Sequence, residues 1–380
     1  HSIKQDVVED LAKRLHYMDG HLDDPNFYKR LNTFLAKNYT NKIYYLATYP
    51  DLYSHVFENL KLQDMNEQNK GFTRLMIEKP IGHDLKSAIA LNKLLLKYFS
   101  EDQIYRLDHY LGKETIQNIL TFRLSRGGYY DLVGALKDVG QNHQLQMLAF
   151  ATMDAPNKFS NEAVTAQRLK ILQSLKPLPK KVVFGQYEGY KNEKNVNRNS
   201  DIDTFYAFKT YINNDRFKDV PIYIRAGKKL KQTVTEISIV FKNPISRLFK
   251  NIAGGDEANV LIYRIQPNEG IVLKIVTKIP GHQVNLESEY MQFCYRLDKH
   301  SHYIPDPYER LLVDTIRGDQ TFFNDAKEVE AQWAFIDPLA KTRGKPHIYK
   351  ADSWGPKESD ELLVADGRKW LEPSMDFCRI

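Results

Sequence analysis

Between residues 43 and 108 short apolar runs alternate with helix-forming stretches. Ile43-Tyr44-Tyr45-Leu46-Ala47 is the first run, Arg74–Glu78 the second and Ile104–Asp108 the third. Asp51, as an N-cap, opens a helix over Leu52–Leu60, and Leu85–Phe99 fills the next gap. Each run is bounded by turn residues and is too short for a helix, so it reads as a buried strand. A β-α-β-α-β order predicts parallel strands with right-handed crossovers, because parallel neighbours cannot be joined by a tight turn. Such sheets take ligands beyond the carboxyl ends of their strands. Two polar clusters stand at those ends, Glu78-Lys79-Pro80 and Asp108-His109-Tyr110.

Two more amphipathic segments, Ile3–His16 and Phe27–Tyr39, precede this region. Beyond it the pattern changes. Tyr129–Met153 reads as one long helix, with Leu132, Leu136, Val139, His143 and Met147 recurring at three or four, and Ala163–Leu175 reads as another. From Val182 strands dominate: Val182–Tyr187, Thr204–Ile212, Val220–Arg225, Glu236–Phe241, Val260–Gln266, Ile271–Thr277 and Val284–Tyr290. Turns with Asn, Asp and Gly separate several of them, which predicts a large, mostly antiparallel sheet. Helices return at Tyr308–Arg317 and Ala326–Ala340. The expectation is α/β followed by α+β, with domains at 1–123 and 124–380.

A length of 380 residues suits two such domains. The longest apolar patches fall far short of the ~18 residues that span a bilayer, so no membrane partner is expected. No basic-then-apolar leader opens the sequence, and with only two cysteines, Cys294 and Cys378, a reducing cytosol is the simpler expectation. The net charge of +6 is spread along the chain, densest at Lys228-Lys229-Leu230-Lys231, which argues against a nucleic-acid stripe and allows an anionic small molecule.

Four clusters carry candidate chemistry. In Arg106 through Glu114 a strand ends at Asp108, Gly112 turns the chain, and a helix starts near Lys113. Helix starts present free amides to anions, and His109, Tyr110 and Lys113 add donors, as a phosphate monoester requires. The plain alternative is an ordinary strand–helix connection. Asp138 and His143 are five apart on the long helix and project in related but not identical directions. A helical histidine on an apolar face is more often a satisfied core residue; to act as a base it needs a carboxylate orienter, and Asp108 is the best candidate. Lys79 is either a solvated strand terminator or a cation over the crevice. Lys228 is either part of a solvated basic hairpin end or one wall of an anionic pocket.

Glu78-Lys79-Pro80-Ile81-Gly82, Arg106 through Glu114, Asp138 through His143 and Arg225-Ala226-Gly227-Lys228, in this order, resemble the signature of the glucose-6-phosphate dehydrogenase family. Gly127-Gly128-Tyr129-Tyr130-Asp131, Gln266-Pro267-Asn268-Glu269 and Pro307-Tyr308-Glu309-Arg310 resemble it too, and the likeness runs from about Tyr44 to Trp370. The resemblance implies a Rossmann-like, dinucleotide-binding parallel sheet followed by a larger substrate and oligomerisation domain. It implies oxidation of C1 of glucose 6-phosphate to 6-phosphogluconolactone with reduction of NADP, or NAD, as the first step of the oxidative pentose phosphate pathway, in a cytoplasmic homodimer or homotetramer without a metal. By motif position, His143 would be the general base and Asp108 its orienter. His109, Tyr110 and Lys113 would hold the phosphate, and Asp138, Gln266, Lys228 and Lys231 the rest of the substrate. Lys79 would touch both substrate and cofactor, with Ala47, Tyr49, Pro50 and Tyr53 on the nicotinamide side.

The sequence also departs from the family pattern. No G-x-G-x-x-G occurs in it, so the family's glycine-rich loop, with the residues that choose NADP over NAD, is expected ahead of residue 1. A family strand and a substrate carboxylate are missing where Leu124 meets Ser125, which predicts a chain break there. A second basic residue falls near Thr233, and Lys231 is its expected substitute. Two rivals stand beside this reading: a related two-domain dehydrogenase of a non-phosphorylated sugar, and a non-catalytic sugar-phosphate-binding protein of the same fold.

Overall fold

The computed structural model describes residues 5–69, 71–108, 131, 133–242, 257–295, 306–374 and 376–378. They fall into two compact units, residues 1–82 with 89–106, and residues 83–88 with 107–380. The expected boundary at 123/124 and the expected break at Leu124–Ser125 lie outside the described residues.

The first unit follows the alternation in the sequence. Helices α1 (Gln5–Arg14) and α2 (Pro25–Asn38) precede β1 (Lys42–Leu46), α3 (Tyr53–Leu62), β2 (Thr73–Ile77), α4 (Leu85–Tyr98) and β3 (Ile104–Arg106). The strands form a parallel sheet in the order β1-β2-β3, with Leu46 opposite Ile77 and Ile77 opposite Arg106. Phe57 and Leu60 of α3 and Leu95 of α4 cover Leu75, Ile77 and Ile104 in one core. One detail differs from expectation. Asp51 does not cap α3; it lies inside a 3₁₀ turn, Pro50–Leu52, and α3 starts at Tyr53. Pro50, with its φ already fixed near helical values, starts the turn before Asp51 is reached.

In the second unit, the long helix expected over Tyr129–Met153 is not one α-helix. Gly134 takes φ +83°, a left-handed conformation that ends helical hydrogen bonding. Residues Leu136–Gln144 then form a π-helix, which passes into α5 (Leu145–Thr152). Helix α6 (Asn161–Ser174) follows, its Ser160 hydroxyl accepting from the Ala163 amide.

The strands are β4 (Val182–Tyr187), β5 (Phe205–Thr210), β6 (Ile222–Gly227), β7 (Thr235–Val240), β8 (Val260–Gln266), β9 (Gly270–Lys278) and β10 (Leu286–Cys294). They do not make the single sheet expected. Among the described residues one four-stranded sheet runs β10-β9-β8-β7, wholly antiparallel, and another runs β11-β4-β5-β6. The split falls between β6 and β7. There Lys229 is left-handed (φ +49°), its carbonyl accepts from the Asp352 amide, and the Lys231 amide donates to the Ser353 carbonyl. Those backbone groups are spent on the 352–353 segment and cannot extend a hairpin into β7. After α7 (Pro307–Arg317) and α8 (Ala326–Ala340), strand β11 (His347–Tyr349), which the sequence pattern missed, pairs parallel to β4, and α9 (Glu358–Val364) follows.

Against the expectation of a reducing compartment, Cys294 at the end of β10 is disulfide-bonded to Cys378. No described helix is long and apolar enough to cross a membrane.

Candidate active site

The π-helix organises the site. In an α-helix, residues five apart point about 140° away from each other at 100° per residue. In a π-helix they are joined across one i→i+5 hydrogen-bonded turn and lie on the same side. Asp138 and His143 are such a pair. The expectation of related but divergent directions is thus replaced by a shared face.

His143 is fully buried and Asp108 is 1% exposed. Asp108 stands two residues past β3, and its Oδ1 lies 2.6 Å from His143 Nδ1. A carboxylate accepts only, so Nδ1 carries the proton and donates it. That fixes the tautomer and leaves Nε2 as the acceptor. The His143 amide donates to Asn142 Oδ1 at 2.6 Å, which ties the backbone at the same point.

Lys228, one residue past β6, faces the same helix. Burial draws its ammonium below the ordinary lysine value, and the Asp138 carboxylate opposes that shift. Its main chain is held at both ends: the amide donates to Thr204 O (2.9 Å), and the carbonyl accepts from the Tyr349 hydroxyl (2.7 Å). The cation thus rests on the β5–β6 edge and on β11, a strand more than a hundred residues later in the chain.

The other candidates stand on other elements. Lys231 is half exposed and pairs with Glu372 at 3.4 Å, so its ammonium is directed to the C-terminal segment. Gln266 is buried at the end of β8, on the wholly antiparallel sheet. His109, Tyr110 and Lys113 lie outside the described residues. In the first unit, Ala47 and Tyr49 are exposed and Pro50 is partly so, all just past the carboxyl end of β1. Lys79 follows β2, whose last residue is paired with that of β1. Tyr53 is fully buried at the start of α3, and burial and the nearby Glu78 carboxylate push its phenol up to about 12.

Several supporting residues escaped the sequence reading. Gln144, next to His143, accepts from the Tyr206 hydroxyl and donates to Arg225 O at 3.0 Å. Gln141 donates to Gln332 of α8 at 3.1 Å. Asp203, in the stretch leading into β5, accepts from the Leu136 amide at 2.8 Å. None has a local signature, since each is paired across at least 60 residues of chain.

A family model described as the C-terminal domain of glucose-6-phosphate dehydrogenase matches residues 115–371, and one described as that enzyme's NAD binding domain matches residues 1–118. Glucose-6-phosphate 1-dehydrogenase of Borreliella burgdorferi is 38% identical over 395 residues, covering 92% of this chain and 82% of that protein. That aligned length exceeds the 380 residues present here, so the relative carries residues inside the aligned span that this chain lacks. The Chlamydia pneumoniae enzyme of the same name is 36% identical, with 96% of this chain and 82% of that one covered. A crystal structure of glucose-6-phosphate 1-dehydrogenase from Mycobacterium avium superposes with a TM-score of 0.85 at 30% identity, covering 98% of this chain and 86% of that one. A glucose-6-phosphate dehydrogenase in complex with its substrate glucose 6-phosphate gives 0.86 at 31% identity, with 97% and 85% covered.

Proposed function

The chain belongs to the glucose-6-phosphate dehydrogenase family, and from that premise we propose that His143 is the base, and Asp108 its orienter, in the oxidation of glucose 6-phosphate at C1. The product is 6-phosphogluconolactone, and NADP, when bound, supplies the hydride acceptor. The observation that carries the site assignment is the buried 2.6 Å bond between His143 Nδ1 and Asp108 Oδ1.

In this proposal His143 Nε2 takes the proton of the C1 hydroxyl as the carbonyl forms and C1 gives up its hydride. An imidazole suits the step, since its unperturbed pKa of about 6.5 lies near neutrality. Asp108 keeps the ring in the receptive tautomer and offsets the charge of the imidazolium. Asp138, on the same face of the π-helix, accepts from a sugar hydroxyl, and Lys228 beside it faces the anionic substrate; Gln266 completes the sugar contacts. His109, Tyr110 and Lys113 bind the phosphate, which positions C1 through remote binding energy. Lys231 is left out of the sugar site because Glu372 engages its ammonium.

The residues after β1 and β2 suit the nicotinamide end of the cofactor. Ala47 and Tyr49 are exposed, Ala47 leaves room for a planar ring, and Lys79 supplies a cation at the neighbouring strand end. Tyr53 supports that edge from within the core with Pro50 ahead of it.

We propose further that the enzyme is cytoplasmic and a homodimer or homotetramer. The first rests on its charged metabolites, which do not cross membranes unaided; the Cys294–Cys378 bond argues the other way, and thiol trapping in a fresh lysate, with free thiols expected, decides it. The second rests on Met291 and Phe293, apolar and exposed on one face of β10. Light scattering is expected to give two or four chains, and a monomer would overturn it.

The deciding experiment is the initial rate of NADP and of NAD reduction with glucose 6-phosphate or free glucose, for wild type and His143→Asn. Loss of a general base is expected to lower kcat by about 10²–10⁴ with a small change in substrate binding. Equal turnover in the variant removes His143 from the mechanism. Equal use of free glucose favours a dehydrogenase of a non-phosphorylated sugar, and binding without reduction favours a non-catalytic protein of this fold.

A further inference from the structure

The π-helix that brings Asp138 and His143 to one face is held by a second carboxylate outside the proposed chemistry. Asp203 lies in the stretch leading into β5 and is fully buried. Its Oδ2 accepts from the Leu136 amide at 2.8 Å, the first amide of the π-helix, and its main-chain carbonyl accepts from the Ala135 amide at 2.9 Å. Its Oδ1 pairs with Arg343, beyond α8, at 3.3 Å. Burial pushes the Asp203 carboxyl upward, while Arg343 and the two amides oppose it.

The approach depends on Gly134. A Cβ built there would stand 2.4 Å from Asp203 Oδ1, and its φ of +83° disfavours a side chain in any case. Three residues after Asp203, Tyr206 donates to Gln144, the last residue of the π-helix. Between these points Gly140 lies so close to Tyr206 that a Cβ would be 3.1 Å from its Oη. One stretch, Asp203–Tyr206, thus supports the π-helix at its start, middle and end.

We propose that Asp203, with Arg343 as its counter-ion, is a positioning residue: it fixes the register of the π-helix and so the alignment of His143 with Asp108 and the substrate. A buried carboxylate held between a main-chain amide and a guanidinium is costly unless both partners are kept. That makes it a rigid anchor rather than a passive filler. The alternative register is an ordinary α-helix, in which Asp138 and His143 diverge. This inference rests on the proposed role of His143.

The test is a double-mutant cycle on the full chain, assayed with glucose 6-phosphate and NADP well below each variant's Tm. Asp203→Asn keeps the volume and removes the charge. It is expected to lower kcat tenfold or more in the wild-type background and less than twofold in the His143→Asn background. Arg343→Ala is expected to copy it and Arg343→Lys to restore most of the loss. If Asp203→Asn does not fold, Gly134→Ala, which displaces the carboxylate without removing it, is read instead and is expected to show the same dependence on His143. An unchanged kcat, or an equal fall in both backgrounds, overturns the proposal, because a purely structural role does not depend on residue 143. If wild type and His143→Asn already turn over alike, the proposed role of His143 has failed instead, and the two failures are told apart.

Discussion

Asp108 and His143 are 35 residues apart in the chain, and a 2.6 Å hydrogen bond joins them with both side chains shielded from water. The bond makes a direct prediction. In Asp108→Asn the amide can turn its NH₂ toward Nδ1 and favour the opposite tautomer, which leaves a proton on Nε2. Turnover is then expected to fall by about 10²–10⁴ while the KM for glucose 6-phosphate changes by only a few fold. Steady-state kinetics check this, and a large rise in KM with unchanged kcat would assign Asp108 to substrate binding instead.

Lys228 gives a pH prediction. Burial lowers its pKa, so in the free enzyme it loses its proton at a lower pH than an ordinary lysine, despite the opposing Asp138. The cation that faces an anionic substrate therefore disappears early on the alkaline side. KM for glucose 6-phosphate is expected to rise there before kcat changes. Lys228→Arg, which stays charged, is expected to flatten that rise, and Lys228→Met to raise KM at every pH. A wild-type KM constant across the alkaline range would count against Lys228 as a substrate contact.

Arg168 and Glu328 make a stability prediction. Both are fully buried, with Nε to Oε1 at 2.7 Å, and Arg168 also donates to the carbonyls of Thr321 (2.7 Å) and Phe323 (2.9 Å). Arg168→Leu leaves the Glu328 charge without its cationic partner and the Thr321 and Phe323 carbonyls without this donor. A loss of about 3–5 kcal/mol is expected by denaturant unfolding. Glu328 also closes the capping box that starts α8, so Glu328→Gln should cost less than Arg168→Leu. The reverse order would contradict the pairing.

Reduction of Cys294–Cys378 is expected to lower the melting temperature by several degrees. The bond closes a loop with 84 residues of separation, for which chain entropy gives an upper figure of about 4–5 kcal/mol. It ties the C-terminal segment to β10, next to the Arg264 bond to Ser374 O (2.8 Å). Calorimetry with and without reductant checks this, with Cys378→Ser as the variant that should ignore reductant.

The sequence by itself determined the parallel first sheet, the strand positions of the second unit apart from β11 and the pairing of Asp108 with His143 as the candidate couple. These follow from local signals: apolar runs bounded by turns, helical spacing, and a motif order that only a strand end and a following turn can satisfy. It did not determine that the helix carrying His143 is a π-helix, that β6 and β7 part into separate sheets, or that Asp203, Tyr206 and Gln144 support the base. The reason is physical. Leu136–Gln144 has an ordinary helical pattern, and its ends are held by a hydrogen bond from the Leu136 amide to Asp203 and one from the Tyr206 hydroxyl to Gln144, 60 or more residues away. Likewise β6 parts from β7 because Asp352 and Ser353 take up the backbone groups a hairpin would need. Bonds of that range leave no mark in local spacing, so only the tertiary structure could decide them.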